Sequence, residues 1–446
     1  MAKDTARDLK IEWLAISELK PDPRNPKQHS TRQIKQIAES IRTFGAIVPV
    51  LIDRENKILA GHGRVLGLQR LGRAEVPVIR IEHLTPEKAR AFSVADNRLT
   101  ELSTWDERLL GEILHELSAV ELDFSLEVTG FSVAEIDLRI EQSLVSTGSG
   151  SDPADELANS AGEPPVTRPG DLWRAGRHLV RCGDALDPVS YEALMQGSRA
   201  DVVFTDPPYN LPIDGHVSGK GRVRHREFAM ASGEMSPAQF TQFLTKVLGL
   251  LVRHSANGSL HYICMDWRHL LELLTAAEEV YPELKNVCAW VKDNAGMGSL
   301  YRSQHELVLV FKSGVAPHRN NVQLGQYGRN RTNVWHYPSV SNLGRRGEEG
   351  YLLALHPTVK PVALVADAIM DCSARGDIVL DPFLGSGSTL IAAERVGRIC
   401  RGMELDPLYV DAAIRRWQRF TGDGATHAEG GERFDDLARE SEARHG

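Results

Sequence analysis

Thr205-Asp206-Pro207-Pro208-Tyr209-Asn210 is the stretch on which the reading of this chain turns. Before it runs Ala200-Asp201-Val202-Val203-Phe204, apolar and of strand length. Two prolines and Asn210 then stop the strand and delay any helix. That order predicts a stiff loop at the carboxyl end of a buried strand. The loop offers one carboxylate, one backbone carbonyl that no neighbouring amide easily claims, and one aromatic face. Such a set suits a flat base with an exocyclic amine: the ring stacks on Tyr209, and the amine donates to Asp206 and to the Pro207 carbonyl. Alone, the stretch reads about as well as an ordinary strand-to-turn junction, because Asp and Pro are common turn residues.

The balance shifts with Asp381-Pro382-Phe383-Leu384-Gly385-Ser386-Gly387-Ser388-Thr389. It follows the strand-like Asp377-Ile378-Val379-Leu380 and leads into the helical Leu390-Ile391-Ala392-Ala393-Glu394. Strand, Gly-x-Gly turn and helix together let a ligand approach a backbone and a helix amino end. The third glycine of a dinucleotide fingerprint is missing, and no Gly-Lys-Ser/Thr follows as in a phosphate-cradling loop. A second short strand, Arg398 to Met403, ends in Glu404. An acid about 20 residues beyond the glycines is placed to hold a ribose diol. The pattern therefore suits a nucleoside cofactor with no required pyrophosphate.

These stretches resemble the amino-group DNA methyltransferases that use S-adenosylmethionine. Because the D-P-P-Y loop precedes the glycine motif, the chain resembles their beta class. Three more stretches carry the likeness. Leu179-Val180-Arg181-Cys182-Gly183-Asp184 resembles the strand whose acid faces the cofactor's adenine. His305 to Lys312 resembles the strand after the catalytic loop. His356-Pro357-Thr358-Val359-Lys360-Pro361 resembles the segment that holds the cofactor's methionine end. The resemblance spans roughly 169–420. It implies Asp206, Pro207, Pro208 and Tyr209 as the catalytic loop. It implies Asp184, Thr358, Lys360, Asp381, Phe383, Gly385, Ser386, Gly387 and Glu404 as the cofactor site. Adenine is the base expected from D-P-P-Y, since S-P-P-Y is more usual among cytosine-amine enzymes. Cytosine N4 methylation, a non-catalytic adaptor with a methylase fold, and RNA methylation stand as alternatives.

The bulk properties agree with a soluble globular protein of two or three domains. With 446 residues, there is no apolar run long enough to span a membrane and no signal-peptide core after Met1–Lys10. Five scattered cysteines form no C-x-x-C pair, which argues against structural zinc or a disulfide framework and fits a cytoplasmic protein. None of them lies in a Pro-Cys loop, which argues against carbon-5 cytosine methylation, and no metal is expected. The net charge of −8 is unevenly placed: residues 169–420 carry 28 Lys/Arg against 26 Asp/Glu, while 141–168 and 421–446 are each at −4. Two basic patches are expected to meet DNA. Lys220, Arg222 and Arg224 lie in a Gly-rich insertion after the catalytic loop. Arg319, Arg329 and Arg331 lie in the acid-free interval between Glu306 and Glu348, interleaved with Asn and Gln that can read base edges.

Residues 1–140 read as a separate unit. Ile34, Ile37, Ala38, Ile41 and Phe44 repeat at helical spacing after a Ser30-Thr31 cap; short strands Val48–Ile52 and Ile58–Ala60 follow. Gly61-His62-Gly63-Arg64 opens the next helix and is a candidate anion site. With Asn25–Ser30 and Ala95-Asp96-Asn97-Arg98, the unit resembles the ParB/sulfiredoxin-like domain. In ParB-like relatives the turn meets a nucleotide triphosphate, but their paired arginines are reduced here to Arg64. The thiol that sulfiredoxin chemistry needs is absent before Cys182. An accessory role on DNA or a partner is the expectation. Residues 141–168 read as a flexible linker and 421–446 as a disordered tail. The fold expected overall is α/β: a mostly parallel, doubly wound Rossmann-like sheet over 169–420, behind a smaller α+β ParB-like domain. Duplex DNA is the expected partner. A homodimer, and a nucleotide or protein partner for the N-terminal domain, are further candidates.

Overall fold

The computed structural model describes residues 9–445 except 121, 145–152, 156–163, 211–233, 294, 296–299, 323–328 and 339–358. The chain divides into two compact units, Met1–Ser146 and Thr147–Gly446.

In the first unit, Ser30 caps α1 (Thr31–Phe44) by accepting from the Gln33 amide. A four-stranded sheet in the order β1-β4-β2-β3 packs beside it, formed by β1 (Ile11–Ala15), β2 (Val50–Ile52), β3 (Ile58–Ala60) and β4 (Glu75–Arg80). Gly61, at φ 103°, starts α2 (His62–Arg70), a conformation that costs an L-residue strain. Three helices complete the unit: α3 (Pro86–Glu101), α4 (Glu107–Ala119) and α5 (Val133–Leu144). The last two bury Leu110, Leu114, Ile136 and Ile140 against each other. Their crossing is close at Gly111, where an added Cβ would come within 2.4 Å of the Arg139 carbonyl oxygen.

The second unit is built on ten strands in the order β11-β9-β10-β8-β7-β12-β13-β6-β5-β14. In chain order they are β5 (Leu172–Ala175), β6 (His178–Cys182), β7 (Ala200–Thr205), β8 (Ser255–Met265), β9 (Glu283–Val291), β10 (His305–Lys312), β11 (Val334–His336), β12 (Ile378–Asp381), β13 (Ile399–Glu404) and β14 (Thr426–His427). Between them run α6 (Pro188–Met195), α7 (Pro237–Arg253), α8 (Leu270–Glu278), α9 (Val362–Cys372), α10 (Ser388–Arg395) and α11 (Pro407–Thr421), with α12 (Phe434–His445) last. The five central strands β6, β13, β12, β7 and β8 are parallel, and β10, β5 and β14 add antiparallel pairs outside them. The sheet is thus mixed, with a parallel centre whose residues are apolar on both faces, as a sheet covered by helices requires. β12 and β13, late in sequence, fill the gap between β6 and β7. The loops after β6, β7, β12 and β13 therefore meet at one edge, the edge where α/β folds place ligands.

Two segments depart from expectation. Within 141–168, Ala154 is buried, the Asp155 carboxylate accepts from the Val362 amide, and Asp411 holds the Val166 and Thr167 amides at 2.7 and 3.1 Å. Those parts of the expected linker are docked on α9 and α11. The expected disordered tail is ordered as well. β14 pairs with β5, and Phe434 is 1% exposed with its ring 5.1 Å from that of Trp173. One buried aromatic outweighs a polar composition in deciding whether a segment folds. Phe434→Ala is expected to cost about 3–5 kcal/mol and to lower the denaturant midpoint clearly; an unchanged unfolding curve would return the tail to disorder.

Candidate active site

The D-P-P-Y loop leaves the carboxyl end of β7, and the strand beside it is β12: Val202 pairs with Val379 and Val203 with Leu380. Thr205 Oγ1 donates to Asp381 Oδ1 at 2.8 Å, Thr389 Oγ1 donates to Oδ2 at 2.7 Å, and the Phe383 amide donates to Oδ1 at 3.1 Å. Asp381 thus ties the two loops together. Burial pushes its pKa up to about 6, against the pull of those donors. Gly385 (φ 53°) and Gly387 (φ 87°) turn the chain into α10 in the left-handed region that favours glycine. Glu404 Oε2 accepts from the Gly385 amide at 2.9 Å, and Oε1 accepts from the Asp406 amide. Burial raises the Glu404 pKa to about 7.

A cleft at this edge is lined by Asp206, Lys360, Asp381, Phe383, Gly385 and Ser386. Residues from three separate stretches therefore meet in one place. Asp184, Gly387 and Glu404 are not among its lining. Asp184 caps its own turn through the Leu186 amide, and the Gly183 amide beside it donates to the Glu404 carbonyl. Thr358, Lys220, Arg222 and Arg224 lie outside the described residues. Asn210, at φ 52°, exchanges hydrogen bonds with the Met235 backbone and so closes the base of the insertion that carries those cations.

The charge around the catalytic loop was not foreseen. Lys360 lines the cleft beside Gly385 and Ser386, and its buried ammonium lies 2.5 Å from Asp206 Oδ2 and 2.9 Å from Glu306 Oε2. Tyr209 Oη donates to Asp206 Oδ1 at 2.5 Å and is 3.3 Å from Glu306 Oε2. Lys292 Nζ takes the other Glu306 oxygen at 2.5 Å. Burial raises the Asp206 pKa, and Lys360 pulls it back. Burial also opposes ionisation of Glu306, but Lys360 and Lys292 hold it down at about 2. Glu306 and Lys292 stand alone at strand ends in sequence, and only the register of β9 with β10 and β10 with β8 carries them to the loop.

The second basic patch does not face this site. Arg329 is 6% exposed and bonds Asp367 and Asp371 of α9 at 3.0 and 2.9 Å. Arg331 reaches the same two carboxylates, both at 2.8 Å. Arg319 is half-exposed and sits 4.0 Å from Asp377, at the amino end of β12 and so at the opposite edge of the sheet from Asp206. Arg329 and Arg331 are neutralised by acids on the helix that follows them. Arg329→Ala would leave the Asp367 and Asp371 carboxylates to share Arg331 as their one cation. A loss of about 3–5 kcal/mol on chemical unfolding is expected; wild-type stability with weakened DNA affinity would restore the DNA-contact assignment.

Residues 200–415 match the family model of a DNA methylase of the N6/N4 type. Residues 1–98 match a ParB N-terminal domain and 108–169 a ParB-methyltransferase HTH domain. The chain belongs to the DNA methylases, with ParB-type domains ahead of the catalytic one. The HTH match divides the segment 1–140 that reads in sequence as one unit, beginning at α4 and running past α5. In sequence the chain is similar to the Type II methyltransferase M2.MboI of Moraxella bovis, 25% identical over 250 residues, covering 54% of this chain and 87% of that protein. It is also similar to the ParB-like nuclease domain-containing protein YnaK of Escherichia coli K12, 46% identical over 80 residues, 18% of this chain and 92% of that one. Among solved structures, the M1.HpyAVI–SAM complex is 20% identical, with 53% of this chain and 98% of that one covered and a TM-score of 0.38. The cytosine-N4-specific PvuII DNA methyltransferase is 14% identical, with 63% and 95% covered and a TM-score of 0.41. Among the described residues, no helix is long and apolar enough to cross a membrane.

Proposed function

We propose that this chain methylates the N6 amine of adenine in duplex DNA, with S-adenosylmethionine as methyl donor. The observation that carries the reading is the shared cleft: the Asp206 carboxylate and the Gly385–Ser386 turn line one space at the carboxyl edge of parallel strands. A nucleoside cofactor fits the residues present. Phe383 offers a face and the glycine turn offers backbone, while Glu404, which accepts from the Gly385 amide at the rim of that turn, is the acid that would take a ribose diol. The bound cofactor supplies an electrophilic methyl on a sulfonium.

The chain's own residues do the rest. A base amine is out of reach within the stack, so the target enters the cleft flipped from the duplex. Its ring rests on Tyr209. Its amine donates to Asp206 and to the Pro207 carbonyl, which aims the nitrogen lone pair and offsets the positive charge that grows there. Pro207 and Pro208 keep the carbonyl free of amide partners and hold it still. Once methylated, the nitrogen would carry one proton in excess, which would leave along its hydrogen bond to the Asp206 carboxylate. The Tyr209 hydroxyl does more than its ring alone would, because it anchors Asp206.

The direct test is product analysis. Randomised duplex DNA is incubated with labelled S-adenosylmethionine, digested to nucleosides and separated. Label in N6-methyldeoxyadenosine is expected. Label in N4-methyldeoxycytidine would move the reading to the other amine, and no label in DNA would overturn it.

A further inference from the structure

Glu306 lies outside the amine-accepting loop, yet it touches the groups that hold that loop. Its Oε2 is 2.9 Å from the Lys360 ammonium and 3.3 Å from Tyr209 Oη, and its Oε1 takes Lys292 at the end of β9. We infer that Glu306 is a positioning residue for methyl transfer: it is the second carboxylate onto which Lys360 moves when the target amine takes its place on Asp206. The inference rests on Asp206 accepting the amine, as in the reading above.

Lys360 is buried and occupies the Asp206 oxygen nearest it. An amine that takes the Asp206 oxygen held by Lys360 displaces that cation. A buried ammonium that lost its partner would be left uncompensated, which is strongly unfavourable. Glu306 removes the difficulty, because Lys360 already lies within bonding distance of it and needs only a small shift. Lys292 holds Glu306 from the far side, so the carboxylate stays fixed while the ammonium moves. The four charges of Asp206, Glu306, Lys360 and Lys292 balance before the amine enters. They still balance afterwards, since the amine is neutral.

The groups that face Asp206 are Lys360 ahead of α9, Glu306 on β10, Tyr209 on its own loop, Cys264 on β8 and Asp381 on β12. Removing the negative charge of Glu306 should make Asp206 easier to ionise. Removing the positive charge of Lys292 should make it harder. These shifts follow from charge alone, so the plateau rate at unchanged cofactor affinity is the readout that separates a positioning Glu306 from a merely structural one.

The test is single-turnover methylation of target DNA at saturating cofactor across pH, with calorimetric cofactor binding alongside, for wild type, E306Q and K292M. In E306Q the plateau rate should fall about tenfold or more, because Lys360 stays on Asp206 and competes with the amine. Its cofactor affinity should be unchanged, and its acid limb should move to lower pH. In K292M the acid limb should move to higher pH. A wild-type plateau rate in E306Q, or limbs moving the same way in both variants, would overturn the inference. If E306Q fails to fold, K292M decides: a lowered plateau at unchanged cofactor affinity supports the inference and a wild-type plateau overturns it. Wild-type protein that transfers no methyl to DNA would instead overturn the functional reading, and the inference with it.

Discussion

The hydrogen bond from Thr205 Oγ1 to Asp381 Oδ1 joins the ends of two neighbouring strands that are 176 residues apart in sequence. Everything at the site depends on that junction. Each loop alone is a common motif. The first offers a carboxylate and a carbonyl, and the second a glycine turn ahead of a helix. Only when β12 sits beside β7 do they bound a single cleft, in which a base amine and a methyl donor can be in line. The bond is buried, so it is worth more than an exposed one would be, and its loss would leave the Asp381 carboxylate short of a donor.

A second constraint is charge. Asp206 and Glu306 are both largely buried, and two carboxylates so close would resist joint ionisation. Lys360 between them and Lys292 behind resolve the conflict. The two ammonium groups thereby favour ionisation of both carboxylates against the burial that opposes it, in a site where a hydrogen bond to a developing cation counts most. The cost is that the Asp206 carboxylate is already occupied by Lys360.

Much of this was legible in the residues. The D-P-P-Y loop, the glycine turn and Glu404 each follow an apolar run of strand length, and local chemistry defines each of them. The register that brings them together is not local, though the order of motifs implied it. What could not be read has a common physical cause. Arg329 and Arg331 look like a solvent-facing basic patch because the acids that neutralise them, Asp367 and Asp371, come later, on α9. Glu306 and Lys292 look like ordinary strand-end charges until antiparallel pairing places them beside Tyr209. The C-terminal segment looks disordered by composition, yet Phe434 reaches Trp173 on a strand laid down more than 250 residues earlier. In each case the partner is distant in sequence, and composition of the segment itself carries no trace of it.

The central claim is that the Asp206 carboxylate receives the reacting amine. Its most direct measurement is single-turnover methyl transfer by Asp206→Ala, with cofactor affinity and thermal unfolding measured on the same preparation. The account predicts transfer reduced by at least about a hundredfold, with the cofactor still bound and the fold retained. Substantial transfer by a merely destabilised variant would contradict it.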